Sequence, residues 1–406
     1  MVYKLRQYFP KEEKASSESE RDIIMKNIMV LGSTGSIGKQ TLDIVRKNED
    51  MRVVSLAVGK NIDLLQKQIE EFEPEVVCVY SEDEAMELKR RLKSNRTKVM
   101  TGMNGLIACA TVESGDILVT AVVGMIGVRP VIEAIKENKD IAFANKETLV
   151  TAGHIIMPLV QKHGVHFLPV DSEHAAIFQC LNGERHEDIG KIILTASGGP
   201  FRGKKRQDLE HVTLQDALRH PNWSMGKKIT IDSATMINKG LEVIEARWLF
   251  DVDYDSIEVV IQPQSIIHSM VEFRDGAVMA QLGTPDMHLP IQYALCYPER
   301  RERFGEPLDF STISSIQFEQ PDLETFRGLA LAYEAGRTGG SMPTVLNAAN
   351  EMAVDLFLRE KIAYLQITDI IEEMMNQHKV IKNPALHEIL AVEDEVRKQI
   401  KARYDK

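Results

Sequence analysis

The sequence predicts an α/β protein: a doubly wound parallel sheet first, a mixed α+β region next and a helical region last. Three observations carry this. Between Lys26 and Val170, short apolar runs alternate with segments of helical spacing, the pattern that sets parallel strands between helices. Beyond Asp171 the apolar runs change character, and Arg274-Asp275-Gly276 marks a hairpin turn between two of them, which requires antiparallel pairing. From Leu323 onward the spacing is helical.

In order, strands are expected at 27–31, 52–58, 75–80, 117–120, 140–144 and 165–170, with helices between them, including one through 41–45 and one over 62–72. Later strands are expected at 191–196, 257–261, 268–273 and 277–282. The stretch 297–321 carries Pro298, Pro307 and Pro321 and reads as a linker. Leu346, Ala349, Met352, Ala353 and Leu356 form one apolar helical stripe; Ile389, Val392 and Val396 form another. The expected divisions are an extension at 1–25, a nucleotide domain at 26–170, a catalytic domain at 171–296, a linker at 297–322 and a helical domain at 323–406.

A chain of 406 residues exceeds one ordinary core, and 44% hydrophobic with 27% charged residues suits a water-soluble globular protein. The net charge of −11 argues against a nucleic-acid binder. No apolar run reaches membrane-spanning length, so no membrane partner is expected. Cys78, Cys109, Cys180 and Cys296 form no paired motif and read as reduced thiols of a cytoplasmic protein. The first two dozen residues are polar and of mixed charge, without a signal core; they read as a disordered extension, with Met25 as an alternative start.

Gly32-Ser33-Thr34-Gly35-Ser36-Ile37-Gly38 follows a strand and opens a helix. Glycines there let the backbone approach a pyrophosphate, and the helix N-terminus offers free N–H groups. The spacing differs from the usual G-x-G-x-x-G, and a ligand-free tight turn is the competing reading. The second strand runs into Gly59-Lys60-Asn61 with no acid for a ribose hydroxyl. A lysine there suits a 2′-phosphate, so NADP(H) is inferred; a solvated turn lysine is the alternative. Asn145-Lys146-Glu147 follows another strand and should face the same ligand.

Asp171 and Glu173, two apart on a segment read as extended, would share one face. Like charges that close call for a cation, and without a Cys or His cluster the choice is Mg²⁺ or Mn²⁺. Glu242, downstream, is the third candidate ligand. Ser197-Gly198-Gly199 offers a hydroxyl and glycine N–H groups as a phosphate nest, which Ser233, Asn238 and Lys239 would complete. His220-Pro221-Asn222-Trp223-Ser224-Met225-Gly226 places a tryptophan and a methionine in a loop, either as a cover over substrate or as a core-docking loop.

These motifs, with Ala144-Asn145-Lys146-Glu147 and the run from Ile231 to Glu242, appear in one order from about Lys26 to the C-terminus. Together they closely resemble the 1-deoxy-D-xylulose 5-phosphate reductoisomerase family of non-mevalonate isoprenoid biosynthesis (the MEP pathway). The resemblance implies a bacterial, cytoplasmic homodimer with a Rossmann-like NADPH domain, a catalytic domain and a helical C-terminal domain. It implies a metal-dependent rearrangement of a phosphosugar followed by NADPH reduction to 2-C-methyl-D-erythritol 4-phosphate. NADPH would lie on Gly32, Ser33, Thr34, Gly35, Ser36, Ile37, Gly59, Lys60, Asn61, Asn145, Lys146 and Glu147. Asp171, Glu173 and Glu242 would hold Mg²⁺ or Mn²⁺, with Co²⁺ a further option. Ser197, Ser233, Asn238 and Lys239 would hold the substrate phosphate with His220 beside them, Ser172 would touch substrate near the metal, and Trp223 and Met225 would pack on its carbon chain. Asp171, Glu173, Glu242, Lys239 and His220 are the expected catalytic set. The competing functions are an NADP-dependent sugar-phosphate dehydrogenase without rearrangement and an NADP(H)-sensing binding protein.

Overall fold

The structure, a computed structural model, describes residues 25–92, 96–223 and 225–405. The expected N-terminal extension up to residue 24 and Ser224 of the expected substrate loop lie outside the described residues.

The first unit runs β1 (Lys26–Leu31), α1 (Ser36–Lys47), β2 (Met51–Val58), α2 (Ile62–Phe72), β3 (Val76–Val79), α3 (Glu82–Arg91), β4 (Lys98–Thr101), α4 (Gly102–Ala110), β5 (Ile117–Thr120), α5 (Val128–Lys136), β6 (Asp140–Phe143), α6 (Lys146–His163) and β7 (Phe167–Pro169). Its seven strands are parallel, in the order β4-β3-β2-β1-β5-β6-β7. The sheet is covered on both faces, as crossover helices dictate. In β1, Ile28 and Val30 enter one apolar core while Met29 and Leu31 enter the other, the alternation a pleated strand imposes.

The chain continues through α7 (Ser172–Cys180), β8 (Ile189–Ala196), α8 (Leu214–Ala217), α9 (Lys227–Ala234), α10 (Ile237–Phe250), β9 (Ile257–Ile261), β10 (Ile267–Phe273), β11 (Val278–Leu282) and α11 (His288–Cys296). The second sheet has the order β11-β10-β8-β9. β10 is antiparallel to both neighbours, as the hairpin signal requires, whereas β8 and β9 are parallel. The whole of α8 to α10 is therefore one crossover connection. Residues 297–326 are mostly irregular, and Arg301 ties this stretch back to the first unit through a double contact with Asp50 at 2.5 Å. Finally come α12 (Arg327–Thr338), α13 (Met342–Leu358), α14 (Gln366–Gln377) and α15 (Leu386–Tyr404). The side chains of Leu346, Ala349, Ala353 and Leu356 are fully buried on α13, which also packs against α6 and α9.

Two elements carry little signal in the sequence. β4 is a four-residue edge strand with no buried side chain. α11 is buried from Pro290 to Cys296 on every side, which removes the amphipathic period. Among the described residues no helix is long and apolar enough to cross a membrane.

Candidate active site

Strand order reverses between β1 and β5, and ligand crevices open at the carboxyl ends of such a switch point. The glycine loop and the turn at 121–124 meet there. Gly32 has φ +89°, and a Cβ on it would come 2.3 Å from the Ala121 carbonyl oxygen. Gly35 occupies the cap position of α1 without a side-chain cap, so the first N–H groups of the helix face the crevice unclaimed by a cap. Ser33 is fully buried; its hydroxyl donates to Gln68 Oε1 at 2.7 Å. Its N–H donates to Ala57 O and its carbonyl accepts from Gln68 Nε2, both at 3.0 Å, so Ser33 shapes the loop from inside. Gly59, Lys60 and Asn61 stand exposed at the carboxyl end of β2, where Asn61 Oδ1 accepts from the Leu64 N–H. Asn145 is buried and braces the turn, its amide donating to Gly124 O at 3.1 Å and to Glu147 Oε2 at 2.8 Å.

Asp171 and Glu173 are not on an extended segment, as the sequence reading had it. The last ladder bond of the strand runs from the Val170 N–H to Phe143 O, and the Ala175 N–H already bonds Asp171 O. Asp171 thus caps α7, and Ser172 and Glu173 sit in its first turn. The acids still converge, because a helix N-terminus favours negative charge and α10 brings Glu242 opposite them. Glu242 is 1% exposed and Glu173 21%.

Two lysines occupy the space between these acids. Lys146 Nζ lies 2.6 Å from Asp171 Oδ2, 3.3 Å from Glu242 Oε1 and 3.0 Å from Asn238 Oδ1. Lys239 Nζ lies 2.7 Å from Glu173 Oε1 and also contacts Glu242 Oε2. Burial pulls both lysine pKa values down, but the surrounding carboxylates outweigh it and hold them above the ordinary range. Burial pushes Glu173 up, yet Lys239 prevails and holds it at about 2. Asp171 goes the other way: burial wins over Lys146 and raises it. The buried Asp171 Oδ2 has the Lys146 ammonium as its close partner. Sequence reasoning assigned Lys146 to the cofactor; the structure turns its ammonium toward the carboxylates.

Behind this set stands a pair that the sequence did not mark. His174 and Glu245 are fully buried, and with Asp171 they bring ligand-type atoms within 4.8 Å of one another. Asp171 lines the cleft and the other two do not. His174 Nε2 donates to the Glu242 carbonyl at 2.9 Å, which fixes α10 from the rear. Burial lowers the His174 pKa to about 4, so this imidazole is neutral.

The Ser197-Gly198-Gly199 turn follows β8, with φ of +84° and +68° at the glycines. A Cβ on Gly199 would sit 2.7 Å from Ser233 O, so the turn presses directly on α9. His220 Nδ1 accepts the backbone N–H groups of Asn222 and Trp223 at 3.2 and 3.0 Å. Its proton is therefore on Nε2, which donates to Ser197 Oγ at 3.0 Å. Ser197 Oγ also accepts the Gly199 N–H at 3.2 Å, leaving its own proton to donate outward. Asn222 anchors this loop to Pro263 O and Ser265 Oγ at 2.6 and 2.7 Å.

One cleft of about 690 Å³ gathers these groups. Asp171, Ser172, Glu173, Ser197, His220, Trp223, Met225, Ser233, Asn238, Lys239 and Glu242 all line it, and so do Gly35, Ser36, Ile37, Lys146 and Glu147. Gly32, Ser33, Thr34, Gly59, Lys60, Asn61 and Asn145 do not. The Ser197-Gly198 turn, the carboxylate cluster and the glycine loop thus all contribute to one lining.

Three family models match the chain. The model described as 1-deoxy-D-xylulose 5-phosphate reductoisomerase covers 28–153; two describing C-terminal domains of the same enzyme cover 167–250 and 282–399. The Lachnospira eligens 1-deoxy-D-xylulose 5-phosphate reductoisomerase is 61% identical over 94% of this chain and 100% of its own length. That of Lachnoclostridium phytofermentans is 63% identical over 91% of this chain and 96% of its own. A crystal structure of DOX-P reductoisomerase with NADPH, fosmidomycin and magnesium is similar at a TM-score of 0.90 and 39% identity, covering 94% of this chain and 98% of that one. The Zymomonas mobilis enzyme with NADPH gives 0.87 at 39% identity, over 94% and 100% of the two chains. The glycine loop, the carboxylate cluster and the Ser197-Gly198-Gly199 turn thus stand in a chain that belongs to the 1-deoxy-D-xylulose 5-phosphate reductoisomerase family.

Proposed function

We infer that this chain rearranges 1-deoxy-D-xylulose 5-phosphate and reduces the product with NADPH to 2-C-methyl-D-erythritol 4-phosphate, the reductoisomerase step of non-mevalonate isoprenoid biosynthesis. The observation that carries the reading is the single cleft in which a glycine loop, a carboxylate cluster and a hydroxyl-rich turn face one another.

Asp171, Glu173 and Glu242 fit a hard divalent cation: their donors are all carboxylate oxygens, and the three line one cleft. Mg²⁺ or Mn²⁺ would polarise the ketose oxygens, and NADPH would supply the hydride. The protein's own residues do the rest. Ser197, held by His220 so that its proton points outward, donates to the substrate phosphate together with Ser233, Asn238 and Lys239. Fixing the phosphate away from the reacting carbons orients both fragments of the rearrangement. Lys146 spreads positive charge where oxygens become anionic. Trp223 and Met225 cover the carbon chain and keep water from it.

The homodimer and the cytoplasmic setting belong to the same proposal. In keeping with them, the edge strand β11 leaves Val278 and Met279 at 50% and 42% exposure for a second copy to cover, and the four cysteines are free and buried. The direct test is loss of NADPH absorbance on adding 1-deoxyxylulose 5-phosphate and Mn²⁺. No loss with folded, metal-supplied protein would sink the reading, and an unbranched product by NMR would leave only a dehydrogenase.

Two substitutions test assigned residues. Lys60→Glu sets a carboxylate where a 2′-phosphate is proposed, and the preference for NADPH over NADH in kcat/KM should fall about tenfold or more. An unchanged preference removes Lys60 from the cofactor site. Trp223→Ala should raise the substrate KM about tenfold by removing roughly 1–3 kcal/mol of apolar contact, with NADPH affinity kept. Equal losses for both ligands would give Trp223 a core role instead.

A further inference from the structure

Lys228, the second residue of α9, is held by two carboxylates from different elements: Glu147 Oε1 at 3.0 Å and Asp232 Oδ2 at 2.8 Å. Burial pulls the Lys228 pKa down, but Asp232, Glu147 and Glu351 outweigh it, so the ammonium keeps its charge. Each neighbour leads further. Glu147 is bonded to Asn145, which holds Gly124 O. Asp232 Oδ1 accepts from Asn350 Nδ2 of α13 at 2.9 Å. One residue on, Glu351 is fixed by Asn347 at 2.9 Å and by Arg397 of α15. Its carboxylate lies against the back of the same turn: a Cβ on Gly124 would come 2.9 Å from Glu351 Oε1.

The turn at 121–124 presents Ala121, Val122 and Val123 to the cleft, so its far side is gripped from two directions. We propose that Lys228 and Glu351 are positioning residues for the cofactor, and that α13 of the C-terminal region thereby forms part of the cofactor site. Lys228 orients Glu147 and, through Asn145, the Gly124 carbonyl. Glu351 supports the turn from behind. This rests on the NADPH reading above.

The test compares Lys228→Met, Glu351→Gln and their double variant with Lys228→Arg. NADPH Kd by fluorescence, substrate KM, kcat and thermal unfolding are read for each. Each single variant should weaken NADPH binding about fivefold or more, with substrate KM within about twofold. The double variant should lose less than the product of the two, because both act on one turn. Lys228→Arg should recover most of the loss. Unchanged NADPH Kd in both single variants overturns the proposal, as does a parallel rise of Kd and substrate KM with falling stability. If Lys228→Met does not fold, the isosteric Glu351→Gln decides alone. Wild-type turnover is recorded alongside: its absence would count against the function, while the NADPH titrations still judge Lys228 and Glu351.

Discussion

Glu242→Gln is expected to lower metal-supported turnover by roughly a hundredfold or more. The substitution keeps volume but replaces one oxygen with an amide donor. Glu242 Oε1 now accepts from Asn238 Nδ2 at 2.6 Å and faces Lys146; Oε2 faces Lys239. Whichever way the new amide turns, a donor meets a donor, and one buried ammonium loses a partner. Breaking a buried ion pair from one side costs about 3–5 kcal/mol, so a fall in melting temperature should accompany the activity loss. Turnover measured against Mn²⁺ concentration separates the two effects. If metal-dependent activity stays near normal in folded protein, Glu242 is not a ligand.

Gly38→Ala should abolish NADPH binding and lower stability by about 3 kcal/mol or more. A Cβ at Gly38 would lie 2.2 Å from Gly32 O and 2.6 Å from Ser33 Cα. Both are backbone atoms, so neither can step aside without moving the loop proposed to approach the pyrophosphate. Gly59→Ala is the control for stability alone, because a Cβ there meets nothing within 4 Å. Normal NADPH affinity and melting temperature in Gly38→Ala would mean that α1 does not pack on the loop as described.

The alternation of strands and helices, the hairpin at 274–276 and the stripe on α13 were legible because each rests on local period or turn chemistry. Asp171, Glu173, Glu242 and the Ser197-Gly198-Gly199 turn, which share one cleft or adjoin it, stood out as motifs. Their conformation did not: Asp171 to Glu173 looked extended because an apolar strand precedes them, yet the chain turns into α7 at once. Lys146 follows a strand of the parallel sheet, which places its backbone but not its ammonium. Only the packing of α6 against α10 turns it toward Asp171 and Glu242. The Lys228–Glu351 junction joins residues more than a hundred positions apart, and no local pattern announces such a meeting.

The two lysines among the three acids have one further consequence. Counted as fully ionised, Asp171, Glu173 and Glu242 against Lys146 and Lys239 leave a net charge of minus one. A divalent ion held there, as proposed, would change minus one into plus one. On the proposed assignment the metal would invert the site's sign, and the local field would turn from one that resists a phosphorylated sugar into one that draws it in.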